Sequence, residues 1–313
     1  MALVLMGSTA ILDLGTNTFN LLIVKNYGED YQTIHKTKIP AKLGAGGFAK
    51  KTITPEAFER GILAIKAHQM IIQQYHADRI FAFATSAMRD ASNGAEFVQE
   101  VAKQTGIEIN IISGDREAEL IHKGVCRALE IGDQPELIMD IGGGSTEFII
   151  ANNKKVLWKH SYDLGVARLL ELLKPTDPLT PAGATEFENF LEKELTSLFH
   201  AVADHGISGL IGSAGSFDSL AEMIEMSAEV PMKLSGVTEY TFSLQDLKEL
   251  NTKLCNSTYD ERAEMRGLVP YRVETIPLAS VFIDFMIVKL ALNKVRLSTY
   301  SLREGVISEL PSD

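Results

Sequence analysis

Asp13-Leu-Gly15-Thr-Asn-Thr18 is the stretch that decides the fold, because Asp140-Ile-Gly142-Gly-Gly-Ser-Thr-Glu147 repeats its design in the second half of the chain. Each stretch follows one apolar run and precedes another, which predicts a strand, a glycine-rich turn and a second strand. Glycines and small hydroxyl residues let backbone N–H groups approach an anion, and the leading Asp can hold a metal or a metal-bound water. Two such turns facing across a cleft would clamp a phosphate chain. Two ordinary glycine-containing hairpins are the alternative interpretation.

The composition of the chain limits its class and its partners. A length of 313 residues with 45% hydrophobic residues predicts a soluble protein of two domains. The formal net charge of −11 argues against a nucleic-acid or membrane-surface binder, so an anionic substrate must be captured by local basic groups. Two isolated thiols, Cys126 and Cys255, suit a reducing compartment, and we expect a cytoplasmic location. We expect neither a signal peptide nor a membrane span.

The spacing of apolar residues predicts the same order of elements in both halves. In the first half it indicates strands at 31–39, 79–84 and 108–113 and helices at 56–75 and 94–105, after the first hairpin. In the second half it indicates strands within 137–151 and at 155–162 and 209–212, helices within 181–204 and after Ser216, a late strand at 295–300 and a closing helix at 302–310. We place one domain at 1–124 and another at 125–296, and 297–313 could return to the first.

Duplicated β-β-β-α-β-α units that open with an Asp-x-Gly turn are typical of the actin, sugar-kinase and Hsp70 ATPase superfamily. Further segments narrow the resemblance, namely 84–91 with 93–94, 112–118 with Gly124, 164–169 and 301–306. With the two turns, they resemble the exopolyphosphatase and guanosine-pentaphosphate phosphohydrolase family over nearly the whole chain. The resemblance implies an α/β fold of two actin-like (ribonuclease H-like) domains around an interdomain cleft.

The candidate catalytic groups are two carboxylates, Glu117 and Glu147. Hydrolysis of a phosphoanhydride needs charge neutralisation and an oriented water, for which a carboxylate is the usual base. Glu147 closes the second turn and is expected beside the bound phosphate. The resemblance implies that Glu117 positions or deprotonates the water and that Glu147, with Asp140, lies at the metal or water site. From the residues alone, Glu117 could instead be a first-turn helix acid favoured by the helix dipole.

The predicted phosphate and metal ligands come from both halves. Arg89 follows a buried strand, where its guanidinium could bind phosphate oxygens or form a salt bridge with Asp90. The rest of the predicted phosphate cradle comprises Thr16, Asn17, Thr85, Ser86, Gly143, Gly144, Ser145 and Thr146. For the metal, expected to be Mg²⁺ or another divalent cation, the candidates are Asp13, Asp140 and Glu147.

A run without acidic residues lies between Tyr31 and Pro55. It carries five lysines, and Lys42, Lys50 and Lys51 flank a glycine-rich segment, 44–47, that we expect to be a flexible loop. These three lysines could capture the distal phosphates of a long polyanion, or they could form an ordinary solvated basic face.

The sequence therefore predicts a Mg²⁺-dependent hydrolase that removes the terminal phosphate of inorganic polyphosphate. Guanosine pentaphosphate is the alternative substrate, because Glu274, Thr16 and Thr18 depart from the family pattern and leave substrate choice open. An actin-like ATP-dependent kinase and a non-catalytic nucleotide sensor are alternatives from other classes. The oligomeric state stays open, with a homodimer as one possibility.

Overall fold

Two mixed β-sheets, one in each half of the chain, organise the computed structural model, which describes residues 7–27, 30–213, 215–228, 230 and 232–310. The first sheet has the strand order β3-β2-β1-β4-β5. Its strands are β1 (Ser8–Leu14), β2 (Thr18–Tyr27), β3 (Asp30–Pro40), β4 (Arg79–Ala84) and β5 (Ile109–Ile111). Strand β2 is antiparallel to both β1 and β3, whereas β4 is parallel to both β1 and β5.

The second sheet repeats this arrangement. Its strands are β6 (Glu136–Ile141), β7 (Thr146–Ala151), β8 (Val156–Tyr162), β9 (Leu210–Ser213), β10 (Glu239–Thr241) and β11 (Val295–Ser298), in the order β10-β11-β9-β6-β7-β8. Here β6 pairs antiparallel with β7 and parallel with β9, as β1 does with β2 and β4. The predicted duplicated, actin-like α/β fold is confirmed, and β10 is an additional edge strand.

Helices surround both sheets. In the first half these are α1 (Pro55–Gln74), α2 (Ser86–Asp90), α3 (Gly94–Thr105) and α4 (Gly114–Ala128). In the second half they are α5 (Val166–Leu173), α6 (Pro181–Glu194), α7 (Thr196–His205), α8 (Gly215–Ser227), α9 (Leu244–Asn256), α10 (Tyr259–Ala263), α11 (Ile276–Lys289) and α12 (Leu302–Ile307). In the described part of the chain, no helix is long and apolar enough to cross a membrane.

Local sequence explains several helix starts. Thr54 and Thr180 precede α1 and α6, and each side chain accepts a hydrogen bond from the N–H three residues further on. Pro55 and Pro181 follow them at the first helical position, where the missing N–H costs nothing. Ser113 caps α4 in the same way through the N–H of Arg116.

Successive side chains of β1, and likewise of β6, point to opposite faces of their sheet and pack into two different hydrophobic cores. Leu12 faces the helices of its own half, whereas Ile11 faces a middle layer that also receives Ile138 of β6. This middle layer contains α4 and α12 and lies between the two sheets. Because side chains alternate with period two, Asp13 and Asp140 point to the same middle side, at the carboxyl ends of their strands.

Two glycines let α4 and α12 cross in direct backbone contact. A Cβ on Gly305 would lie 1.8 Å from the carbonyl oxygen of Leu120. A Cβ on Gly124 would lie 1.9 Å from the carbonyl oxygen of Ser301. The end of the described chain is thereby packed against the helix that joins the two halves.

Candidate active site

A cavity of about 140 Å³, the substrate cavity, lies between the two glycine-rich turns. Ten of the sequence-predicted site residues line it, namely Asp13, Thr16, Asn17, Thr85, Ser86, Glu117, Asp140, Gly143, Ser145 and Glu147. Six predicted residues lie elsewhere, namely Arg89, Gly144, Thr146, Lys42, Lys50 and Lys51. The fold therefore brings together side chains from both halves of the chain.

The two turns contact each other across this cavity. A Cβ on Gly143 would lie 2.9 Å from the side-chain carbonyl carbon of Asn17, and one on Gly144 would lie 2.3 Å from Ser86 Oγ. Thr16 Oγ1 is 3.0 Å from Ser86 Oγ, which ties the first turn to the start of α2. A side chain at 143 or 144 would need the space that Thr16, Asn17 and Ser86 of the first half occupy.

Thr146 and Gly144 contribute to the shape of the second turn. The buried Thr146 hydroxyl donates to the carbonyl oxygen of Leu164 at 2.9 Å. The carbonyl oxygen of Gly144 accepts from Arg168 Nε at 2.7 Å, and the guanidinium of Arg168 also pairs with Asp90 of the first half. These contacts give both turn residues a structural role.

Asp140 is held by two serines that the sequence analysis did not single out. Ser213 Oγ and Ser301 Oγ donate to Asp140 Oδ2 at 2.9 and 2.6 Å. Burial raises the pKa of Asp140 to about 6, although the two hydrogen bonds oppose this shift. The hydrogen bond from Ser213 follows from the parallel pairing of Ser213 in β9 with Asp140 in β6. The hydrogen bond from Ser301 arises because the last part of the described chain returns to the site.

Asp13 has an equivalent place in the first sheet. Asn20, its cross-strand partner in β2, donates from Nδ2 to Asp13 Oδ2 at 3.0 Å. Burial raises the pKa of Asp13, and the charge of Arg303 opposes the shift. Asn20 lies seven residues after Asp13, the spacing that separates Glu147 from Asp140, so the repeat itself carried the signal for this residue.

Glu147 and Glu117 are buried acids with altered acidity. Glu147 Oε1 accepts a hydrogen bond from Ser161 Oγ at 2.7 Å. Burial, followed by the charge of Asp140, raises the pKa of Glu147 to about 7. Burial, followed by the charge of Glu147, also raises the pKa of Glu117 well above its usual range. Glu147 is therefore poised to exchange a proton near neutral pH, and Glu117 holds its proton to a higher pH than an ordinary carboxyl group does.

Arg89 contacts Glu117 from outside the cavity. Its Nη1 donates to Glu117 Oε2 at 3.1 Å and to the carbonyl oxygen of Ile112 at 3.1 Å. Its Nε also lies 3.6 Å from Asp90 Oδ1, the salt bridge considered from the sequence. The charge of Arg89 opposes the rise in the pKa of Glu117. Its geometry is that of a positioning residue for Glu117.

Three cations line the substrate cavity: Lys38, Arg272 and Arg303. Nη1 of Arg272 and Nη1 of Arg303 are buried and have no hydrogen-bond partner among the described residues. Burial lowers the pKa of Lys38 to about 8; the charge of Asp218 opposes the shift, and the two guanidinium groups add to it. Buried donors without partners are costly, so these groups indicate an anionic ligand.

The three lysines predicted to capture polyanions lie outside the substrate cavity. Lys42 Nζ is 3.3 Å from Glu274 Oε2, and Lys50 and Lys51 are exposed. Their surroundings were difficult to infer because the sequence cannot show which acids approach from the second half. Lys38, from the same basic run, is the lysine that enters the cavity.

The segment 41–54 is anchored to the second half. The carboxylate of Glu171 on α5 accepts hydrogen bonds from the N–H groups of Gly46, Phe48 and Ala49, at 2.8, 3.0 and 3.3 Å. The segment also has internal turns, with Gly47 N–H bonded to Gly44 O at 3.1 Å. The expected flexible loop is therefore a hydrogen-bonded bridge between the halves in this structure.

The carboxylates of the cavity suit a hard divalent cation that shares its ligands with a phosphate. Among the residues that the structure describes, no three His, Cys, Asp or Glu side chains form a group that could hold a metal by themselves. Mg²⁺ commonly keeps several waters and binds through one or two carboxylates together with substrate phosphates. The half-buried carboxyl groups of Asp13 and Asp140, which have pKa values raised by desolvation, fit that mode.

Fold and site together define a two-domain protein of the actin-like class with a polar cleft between its halves. The model of the Ppx/GppA phosphatase family matches residues 22–312, and the chain belongs to that family. An exopolyphosphatase from Cytophaga hutchinsonii is 34% identical, with a TM-score of 0.94 over 97% of this chain and 99% of that one. A Ppx/GppA family member from Aquifex aeolicus, 23% identical over 97% of both chains with a TM-score of 0.79, shares the fold.

Proposed function

We propose that this protein is an exopolyphosphatase, which hydrolyses the terminal phosphoanhydride of inorganic polyphosphate and releases orthophosphate. One observation carries the proposal: a single small cavity combines the buried acids Glu117 and Glu147 with Arg272 and Arg303, whose buried Nη1 atoms have no hydrogen-bond partner among the described residues. Acids of raised pKa can accept a proton from water, and free cations can hold an anion against them. The identity of 34% with a protein described as an exopolyphosphatase supports the same reaction.

The size of the cavity favours inorganic polyphosphate over a nucleotide. Its volume of about 140 Å³ is well below the roughly 300–1,000 Å³ of pockets that enclose drug-sized ligands. A linear phosphate chain fits such a space, whereas a purine nucleoside would have to lie outside it. Guanosine pentaphosphate stays the second candidate, because its terminal phosphate has the same chemistry. Membership of a phosphatase family favours hydrolysis over the kinase and sensor alternatives.

In the proposed reaction, backbone N–H groups of the two glycine-rich turns hold the terminal phosphate, and Lys38, Arg272 and Arg303 hold the adjacent phosphates. Glu117, held by Arg89, orients the attacking water and accepts its proton. The water oxygen forms a bond to the terminal phosphorus, while the bond from that phosphorus to the bridging oxygen breaks. The bridging oxygen leaves with the shortened polymer, and the product is orthophosphate.

We infer Mg²⁺ as the metal, with Asp13, Asp140 and Glu147 as the residues that would hold it directly or through water. When bound, it would neutralise charge on the phosphate oxygens. The protein's own part is to present hard oxygen donors at the ends of β1 and β6. Ser213 and Ser301 orient the carboxylate of Asp140 for this role.

A phosphate-release assay tests the proposal. Polyphosphate, guanosine pentaphosphate and ATP are each offered with and without Mg²⁺, and the Glu117→Gln variant is assayed in parallel. We expect release from polyphosphate that needs Mg²⁺, with a loss of roughly 10²–10⁴-fold in Glu117→Gln. Release from guanosine pentaphosphate alone would move the activity to the second candidate, and no release from any substrate would contradict hydrolysis.

A further inference from the structure

A second opening, here called the rear groove, lies on the other side of the two buried acids. It has a volume of about 490 Å³ and is formed where α4 begins and β8 ends. Its lining residues are Arg89, Ser113, Gly114, Asp115, His160, Ser161, Tyr162 and Asp163. None of these residues lines the substrate cavity. The two openings are therefore distinct.

The side chains of Glu147 and Glu117 lie between the two openings, and each is hydrogen-bonded to a residue of the rear groove. Glu147 lines the substrate cavity, and its Oε1 accepts from Ser161 Oγ of the rear groove at 2.7 Å. Glu117 lines the substrate cavity, and its Oε2 accepts from Arg89 Nη1 of the rear groove at 3.1 Å. Glu147 and Glu117 therefore separate the substrate cavity from the rear groove.

The two openings differ in the number of their cations. Among the described residues, the substrate cavity has Lys38, Arg272 and Arg303 beside its four carboxyl groups, whereas the rear groove has Arg89 beside the exposed acids Asp115 and Asp163. Several phosphates of a polyanion can therefore each meet a cation only on the first side. A single anion that reaches the rear groove meets one cation and is then repelled outwards.

The order of events in hydrolysis leaves the product at this wall. The attacking and leaving oxygens lie roughly in line, so the water approaches the terminal phosphorus from the side of the two acids. Once the anhydride bond breaks, orthophosphate is the innermost molecule, and the remaining polymer fills the way back through the substrate cavity. A product released by that way would first require the polymer to dissociate.

We propose that orthophosphate leaves through the rear groove, between the Arg89–Glu117 and Ser161–Glu147 pairs, while the shortened polymer stays bound. This inference rests on the proposed function. It makes Arg89 the first group that the departing phosphate meets, since a guanidinium can exchange a carboxylate for a phosphate. The enzyme would then remove successive phosphates in one binding event.

Obstruction of the rear groove tests the inference. Asp115→Trp combined with His160→Trp narrows the groove at two exposed positions, and Lys154→Trp, in the exposed turn at the opposite end of β8, is the matched control. Long-chain polyphosphate and tripolyphosphate are the substrates. We expect the double variant to turn over long chains several-fold more slowly, with chains of intermediate length accumulating, because product release becomes limiting. Turnover of tripolyphosphate should hardly change. Its pyrophosphate product dissociates through the substrate cavity, and orthophosphate can then leave by the same route.

Two further measurements separate obstruction from damage. The rate of bond cleavage in a single turnover, stopped by acid, should equal that of Lys154→Trp. In Asp115→Arg, which leaves the groove open but adds a cation, orthophosphate should inhibit more strongly than in the wild type. The rear exit would be overturned if the double variant turned over both substrates more slowly to the same extent. It would also be overturned if the double variant matched Lys154→Trp in turnover rate and in the lengths of the remaining chains. Absence of phosphate release by the wild-type protein would instead overturn the proposed function.

Discussion

Asn20 occupies in the first hairpin the place that Glu147 occupies in the second. Each is the cross-strand partner of the Asp that opens its turn, Asp13 or Asp140. The duplicated fold thus supplies two equivalent positions, and only one has a group that can accept a proton. The amide of Asn20 instead donates to Asp13, so the first hairpin has one carboxylate fewer than the second.

An acid at position 20 should make stability depend on pH. Asn20→Asp places a second carboxyl group beside the buried Asp13, and burial and like charge would raise the pKa of the new group. Its neutral form is favoured at low pH, and the penalty grows as the pH rises through its folded-state pKa. We expect a destabilisation about 1–3 kcal/mol larger at pH 8 than at pH 5, measured by denaturant unfolding without Mg²⁺. Asn20→Ala, which removes the hydrogen bond to Asp13 but adds no charge, is the control and should show a smaller difference.

Removal of Arg89 should move the acid limb of the pH–rate profile. The charge of Arg89 opposes the rise in the pKa of Glu117, so Arg89→Met should raise that pKa further. More alkaline conditions are then needed to ionise the base, and we expect the acid limb of kcat to shift upward by about one pH unit. Arg116→Met, on the exposed side of α4, is the control. An unmoved acid limb in Arg89→Met would mean that Glu117 is not the group that titrates.

Lys38 should contribute to binding of every polyphosphate, whatever its length. Lys38→Met is expected to raise KM about tenfold for short and long chains alike, the size of one lost charge-assisted hydrogen bond. Because burial lowers the pKa of Lys38 to about 8, the wild-type lysine loses its charge as the pH rises through that value. The wild-type KM should therefore rise between pH 7 and 9, and that of Lys38→Met should stay flatter.

The three lysines predicted to capture polyanions are tested by comparing long and short polyphosphate. Replacement of Lys42, Lys50 and Lys51 by Gln should raise KM for long polyphosphate only, since these side chains lie outside the substrate cavity. A similar change in KM for short chains would place them at the reaction centre. No change with either chain length would leave them as a solvated basic face.

The contact between α4 and α12 should tolerate no side chain. Gly305→Ala places a methyl group 1.8 Å from the carbonyl oxygen of Leu120, so a helix must shift. Overpacking of this kind costs about 1–3 kcal/mol, and we expect a lower Tm. Gly132→Ala is the control, because a Cβ there meets nothing within 4 Å. Equal Tm values for the two variants would show that the crossing is loosely packed.

The repeat of the two Asp-x-Gly turns was sufficient to predict the fold, because a strand, turn and strand at two places imply two related sheets. Local patterns also predicted α1 and α3, where one face is apolar. Local patterns did not predict α11. Its residues are apolar on almost every side, and a buried helix of this kind has no amphipathic period. The helices predicted within 181–204 are α6 and α7, which meet at Leu195, and α7 ends at His205.

The sequence predicted the site residues that belong to a recognisable motif. It did not predict the residues that reach the site only through tertiary contacts. Lys38 and Lys42 lie in one basic run, and only the pairing of β3 with β2 directs Lys38 inward beside Asn20. The bond from Ser301 to Asp140 spans almost the full chain. Such contacts depend on tertiary arrangement, which no local spacing encodes.

The three hydrogen bonds that Glu171 accepts from backbone N–H groups affect how the cleft opens. The N–H groups of Gly46, Phe48 and Ala49 belong to the first half, and their shared acceptor belongs to the second. When the halves move apart, all three donors lose that acceptor at once, so separation and rearrangement of the 41–54 segment form one cooperative event. The opened protein would display an unfilled cluster of backbone donors beside Lys50 and Lys51, ready to meet the next anion before the cleft closes.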